Sequence, residues 1–153
     1  MIKKLEDNDV FEAIKLMNKS TEQIKYPYAR NEAVWIKYFL SLVEQQNEGS
    51  PHALVIGYYT NDELRGFLSA ATFVNYYNNE YIMDVKDCIV DHNYNNGLVV
   101  CRLFDNMIEH VKNYGGKSWR ADSIHDTEDA MRYGRFLEKR YNGQIHISVR
   151  GEV

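Results

Sequence analysis

Cysteine is scarce in this chain, long apolar runs are missing, and there is no surplus of positive charge. Cys88 and Cys101 are the only cysteines among 153 residues, with no CxxC and no paired Cys/His spacing. That pattern suggests neither a disulfide framework nor a zinc site. It fits reduced, cytosol-like conditions, and a cytoplasmic location is expected. Nothing approaches the ~20 apolar residues of a membrane span. The opening MIKKLEDNDVFEAIKLM holds no uninterrupted apolar core of signal-peptide length, so no membrane partner is expected. The formal net charge is −4, and a chain without a basic field is not expected to bind nucleic acid. Arg132, Arg135, Lys139 and Arg140 form a local basic group best read as a solvated helix face. Repeats and linker-like segments are also absent, so residues 1–153 are expected to form one domain.

What is present is ordinary for a soluble domain: 44% apolar and 26% charged residues. A chain of this length can bury a proper core without staples. Twelve tyrosines stand out, concentrated in NYYNNEY at residues 75–81. That segment reads as an exposed turn between strands, with a stacking surface for bases or sugars as the alternative.

Hydrophobic periodicity orders the chain. Residues 2–5 form a short strand, and Asp7 or Asp9 caps a helix whose inner face is Val10, Ala13, Ile14 and Met17. A second helix over about 31–46 carries the stripe Val34, Trp35, Tyr38, Phe39 and Leu42, ended by Gly49, Ser50 and Pro51. Strands at 52–60 and 64–74 make a hairpin around Asn61-Asp62-Glu63. A strand at Tyr81–Val90 follows. Residues 98–114 then form an amphipathic helix, with Val100, Leu103, Met107 and Val111 at helical spacing and Gly115–Gly116 closing it. A strand at 117–124, a helix from Asp126 or Thr127 to about Arg140, and a last strand at 144–149 complete the order.

The most informative stretch is 81–114, where a strand runs through Asn93, Asn95, Asn96 and Gly97 straight into a helix. Free backbone N–H groups and the positive end of the helix dipole converge there, the usual ingredients of an anion site. This segment, and the whole element order, resembles the Gcn5-related N-acetyltransferase (GNAT) fold. The family's acetyl-CoA loop follows Arg/Gln-x-x-Gly-x-Gly/Ala after a strand ending in Val. Counted without gaps from Val90, this chain has Asn95, Leu98 and Val100 at the signature positions and Leu103–Phe104 at the following apolar pair. Framework positions match and signature glycines do not. Shifting the frame by one puts Gly97 at the first glycine but Tyr94 and Val99 at the other two.

The resemblance implies an α/β (α+β) domain with a mixed, mostly antiparallel sheet flanked by helices, in the order β-α-α-β-β-β-α-β-α-β. It implies direct transfer of acetyl from acetyl-CoA to a primary amine of a small-molecule or protein acceptor, by a monomer or homodimer. Ile89 and Val90 would pair with pantetheine, and Asn95, Asn96, Gly97, Leu98, Val99, Val100, Cys101 and Arg102 would surround the pyrophosphate. The base, acting through water, would be Asp84, six residues before Val90, with Asp87 on the opposite face as second candidate. The alternative is that both carboxylates face solvent at a splayed edge. Tyr133, beside Gly134 at the family's acid position, would protonate the leaving thiolate. His92 and His125, at two strand ends, are further candidates for a base. Because Leu98 stands where a glycine would admit a pyrophosphate, the competing reading is an inactive GNAT-like interaction or structural protein that has lost acetyl-CoA.

Overall fold

A computed structural model of the chain describes residues 1–23, 31–94, 96–122 and 127–144. They belong to two compact units, Met1–Asp122 and Ser123–Val153. The first unit contains a five-stranded sheet in the order β1 (Ile2–Lys4), β2 (Ala53–Thr60), β3 (Glu63–Val74), β4 (Tyr81–Val90) and β5 (Ser118–Ala121). Neighbours from β1 to β4 are antiparallel, whereas β4 and β5 are parallel. Three helices accompany the sheet: α1 (Val10–Gln23), α2 (Glu32–Asn47) and α3 (Asn96–Asn113), the last joining β4 to β5. The second unit contributes α4 (Thr127–Tyr141). The element order matches the α+β expectation through α4. The expected last strand from residue 145 onward lies outside the described residues, as do Asn95, His125 and Asp126.

Local chemistry explains the turns. Asn61 and Asp62 adopt φ of +52° and +60° between Thr60 and its partner Glu63, the left-handed pair that a two-residue hairpin needs and that short polar side chains tolerate. Gly115, at φ +73°, ends α3: its amide donates to the Lys112 carbonyl (3.1 Å) and that of Gly116 to Val111 (2.8 Å). Those crossed bonds satisfy carbonyls the helix end would otherwise orphan. The start of α1 corrects the sequence reading. A 3-10 turn at Asp7–Asp9 precedes the helix and Glu6 takes the capping position, its amide donating to the Asp9 carboxylate at 2.9 Å.

The sheet is covered on both faces, so β2 and β3 are apolar at successive positions instead of alternating. Ala53, Val55 and Phe67 pack with Leu5, Val10, Ala13, Leu16, Met17, Phe39, Leu42 and Val43 on the α1/α2 side. The opposite face, bearing buried Leu54, Ile56, Leu68 and Ala70, meets Val99, Leu103, Phe104 and Met107 of α3. The inward face of α2 is Phe39, Leu42, Val43 and Gln46, while Val34 is 63% exposed. The predicted stripe was thus rotated, and Gln46 supplies the reason. Its buried amide donates to the Leu5 carbonyl (3.3 Å) and accepts from the Val55 amide (2.8 Å), which fixes the helix about its axis.

One glycine sets how closely α3 approaches the sheet. A Cβ on Gly66 of β3 would stand 2.4 Å from the Val99 Cγ1 in the first turn of α3 and 3.1 Å from the Ile89 carbonyl. Gly66→Ala should therefore push that turn outward and destabilise the protein by about 1–3 kcal/mol. Urea unfolding of the variant checks this, and an unchanged midpoint would contradict the close packing.

Candidate active site

The site lies where the described pairing of two parallel strands ends. β4 pairs with β5 only from Ile82, opposite Ser118, to Val85, opposite Ala121. It then continues through Lys86–Val90 against β3 alone among the described residues. The register breaks where the strands part: Val85 faces Ala70, but Ser69 faces Asp87, leaving Lys86 as the extra residue of a β-bulge. The bulge resets the alternation. Asp84 opposes Ala71 and Asp87 opposes Ser69, two residues apart on β3, so both carboxylates lie on the face toward α2. The expectation of opposite faces is corrected, because a regular strand would separate them and this one has gained a residue.

Asp84 is 4% exposed, which also corrects the reading of a solvent-facing carboxylate. Its register partner Arg120 donates from Nε to Oδ1 and from Nη2 to Oδ2, both at 3.0 Å. Lys86 at the bulge donates to the same Oδ2. The bonds to Asp84 raise the Arg120 guanidinium above its ordinary value despite partial burial, and the guanidinium also lies 4.7 Å over the Phe73 ring. Asp87 accepts from the Ser69 hydroxyl at 2.6 Å and from the Trp35 indole N–H at 3.2 Å. Tyr38 of α2 lies close enough to feel both carboxylates: burial raises its phenol first, Lys86 opposes, and Asp87 and Asp84 add to the rise. The phenol therefore keeps its proton at neutral pH.

At the end of β4 stands a residue the sequence reading passed over. Asp91 is 2% exposed and accepts from the Asn93 amide (3.1 Å), Lys19 Nζ of α1 (2.9 Å) and Arg65 Nη1 (3.0 Å). Arg65 is itself the extra residue of a bulge in β3, since Tyr58 faces Gly66 and Tyr59 faces Leu64, and its carbonyl accepts the Asp91 amide at 2.8 Å. Burial alone would raise the Asp91 carboxyl; the bonds from Lys19, Asn93 and Arg65 outweigh it and hold the carboxyl below its ordinary value. His92 is tied to the same helix through Ser20, Oγ to Nε2 at 3.3 Å. No local spacing signals this network, because Lys19 lies 72 residues from Asp91 and Arg65 lies 26 away.

The other expected site residues are distributed as follows. Ile89 is half-buried and Val90 buried at the end of β4. Asn96 opens α3, Gly97 and Leu98 are exposed, Val99 is fully buried, Val100 and Cys101 are half-buried, and Arg102 is exposed. The Val99 side chain thus belongs to the core. Tyr133 is half-buried on α4 of the second unit. Among the described residues no group of three or more His, Cys, Asp or Glu is arranged to hold a metal ion. No described helix is long and apolar enough to cross a membrane.

The fold has counterparts among solved structures. The chain is similar to an aminoglycoside antibiotic 6'-N-acetyltransferase from Acinetobacter haemolyticus, at TM-score 0.73 and 15% identity, covering 100% of this chain and 97% of that one. It is similar to a ribosomal-protein-alanine N-acetyltransferase from Brucella melitensis biovar Abortus 2308, at TM-score 0.69 and 16% identity over 100% and 99%. The PaiA N-acetyltransferase from Thermoplasma acidophilum, solved in complex with coenzyme A, gives TM-score 0.68 and 14% identity over 88% and 87%. No family model matches the sequence, and no curated protein is significantly similar to it.

The Asp91 network yields a pH prediction. A carboxyl lowered in the folded state contributes stability that is complete at neutral pH and is lost as the pH falls below about 3.9 through the folded value. Asp91→Asn should cost about 2–3 kcal/mol at pH 7, less than a fully buried pair because Lys19 is 42% exposed. Denaturation midpoints of wild type and variant should converge in acid. A gap that persists there would show that packing, not charge, is responsible.

Proposed function

We propose that this chain, which has the fold of the Gcn5-related N-acetyltransferases, moves an acetyl group from acetyl-CoA directly to a primary amine. The observation that carries this reading is the end of the described β4–β5 ladder at Val85, opposite Ala121. Beyond it, among the described residues, Lys86–Val90 is paired with β3 on one side and leads to the amide end of α3. A free strand edge can pair with the amides of a pantetheine arm, and a helix start can hold a pyrophosphate. The acetyltransferase identity of the similar structures supports the same conclusion.

The residues fit acetyl-CoA through main chain more than side chain. Gly97 and Leu98 are exposed at the helix start, Leu98 at 39%, so its branched side chain is not wedged into the core. In this reading Ile89 and Val90 pair with the pantetheine, and the backbone from Asn95 to Arg102 holds the pyrophosphate, with Arg102 adding an exposed positive charge. Acetyl-CoA supplies the activated acetyl thioester when bound.

This chain's own groups handle the protons. Of the two carboxylates on the α2 face, Asp84 is engaged by two cations, Arg120 and Lys86, and serves to pin the strands. Asp87, which accepts from Ser69 and Trp35, is the proposed proton acceptor for the incoming ammonium. The Tyr133 hydroxyl is the proposed donor to the leaving sulfur.

Two variants separate the roles. Asp87→Asn should slow acetyl transfer by about a hundredfold or more. Asp84→Asn should lower the melting temperature while leaving the rate per folded molecule within several-fold of wild type. The reverse pattern would return the base to Asp84. Tyr133→Phe should slow product formation if its hydroxyl serves the sulfur. Gly97→Pro, which removes an amide donor at the helix start, should weaken acetyl-CoA binding in calorimetry. Absence of any heat with wild-type protein at millimolar acetyl-CoA would favour the non-enzymatic reading, with Leu98 in place of a glycine as its cause.

A further inference from the structure

A second cleft lies at the other end of α3. At 1.5 Å per residue this 18-residue helix is about 27 Å long, so the cleft, at the Gly115–Gly116 end, is well separated from the helix start. It has a volume of about 210 Å³ and an apolar floor of Met83 and Val111, with Tyr81 and Tyr114 among its walls.

Both tyrosines are fixed without being buried. Tyr81 is 54% and Tyr114 58% exposed. Tyr81 stacks on His52 with ring centroids 4.9 Å apart and planes 29° from parallel, and His52 Nδ1 is tied to the Thr72 hydroxyl at 2.9 Å. Tyr114 rests against His110 at 4.8 Å, whose Nε2 lies 3.1 Å from the Pro51 carbonyl. Each exposed ring is thus backed by an anchored histidine, which reduces the ordering cost of binding on its open face. At the rim, Lys117 Nζ lies 3.5 Å from Glu80 Oε1.

We propose that this cleft binds a neutral sugar ring. The C–H face of a pyranose is weakly positive and packs on the negative face of an aromatic ring, which Tyr81 and Tyr114 offer. Sugar hydroxyls donate and accept at once, and the Glu80–Lys117 pair presents an acceptor beside a donor. The pair's charges offset each other, so the rim offers neither an organic cation nor an anion a net opposite charge. Tyr76 and Tyr77, both fully exposed on the adjoining turn, extend the aromatic surface for a longer saccharide.

Amide NMR of the wild-type protein tests this without relying on a variant. Methyl glucoside, methyl galactoside and N-acetylglucosamine are titrated at millimolar concentrations, with adenosine and tetramethylammonium as competing chemistries. A sugar is expected to shift amides at residues 80–83 and 114–117. Tyr114→Ala, at an exposed position, and Glu80→Gln, at a half-buried one, should each weaken that binding by about tenfold. Shifts at these residues with adenosine or tetramethylammonium but no sugar would overturn the ligand class, and silence toward every sugar would overturn the site. The acetyl-CoA titration reads residues at the opposite end of α3, so either result stands apart from the proposed transferase activity.

Discussion

Everything at the candidate active site depends on where β4 stops pairing with β5. The parallel ladder runs for four rungs, and its third is closed by the bidentate Asp84–Arg120 pair, in which a carboxylate 4% exposed meets the guanidinium directly opposite it. The bulge at Lys86 follows directly after the last rung, at Val85. Charge-assisted bonds with two parallel contacts are strong and geometrically specific. They fix the last described rungs in register.

The two bulges use one device twice. Lys86 in β4 and Arg65 in β3 are both extra residues, and each sends a cation to a buried carboxylate: Lys86 to Asp84, Arg65 to Asp91. Arg65 also lies 5.1 Å over the Tyr94 ring. A bulge frees its residue from the alternation of a strand, which lets a long basic side chain reach along the sheet. The consequence is a β4–α3 loop held at its first residue, with the Asp91 carboxylate, the Arg65 carbonyl and Lys19 of α1 fastened together.

Rigidity of α3 follows from packing on the sheet. Val99, Leu103, Phe104 and Met107 are fully buried, Phe104 meets Trp119 of β5 edge-on at 5.6 Å, and Gly66 admits the first turn against β3. Its far end is closed by Gly115 and Gly116. One helix therefore connects two unlike places, an amide start at the end of β4 and an aromatic cleft beside its last turn.

The sequence by itself determined the order of elements through α4, the hairpin at Asn61–Asp62, the Leu103, Met107 and Val111 positions of the inner face of α3, where Val99 and not Val100 is the fully buried residue of the first turn, and the glycine end of that helix. Each is written locally, as a period of apolar residues or as a residue type that alone tolerates a left-handed turn. It also singled out Asp84 and Asp87. Tertiary structure decided the rest. An inserted residue in a strand leaves no mark on hydrophobic alternation when both faces are buried, so the shared face of Asp84 and Asp87 could not be read from the chain. The rotation of α2 rested on Gln46 finding Leu5 and Val55, and the role of Asp91 rested on Lys19 and Arg65, partners brought together only by folding. Local pattern fixes which segments fold and how they end; which charges meet depends on register, and register exists only once strands are paired.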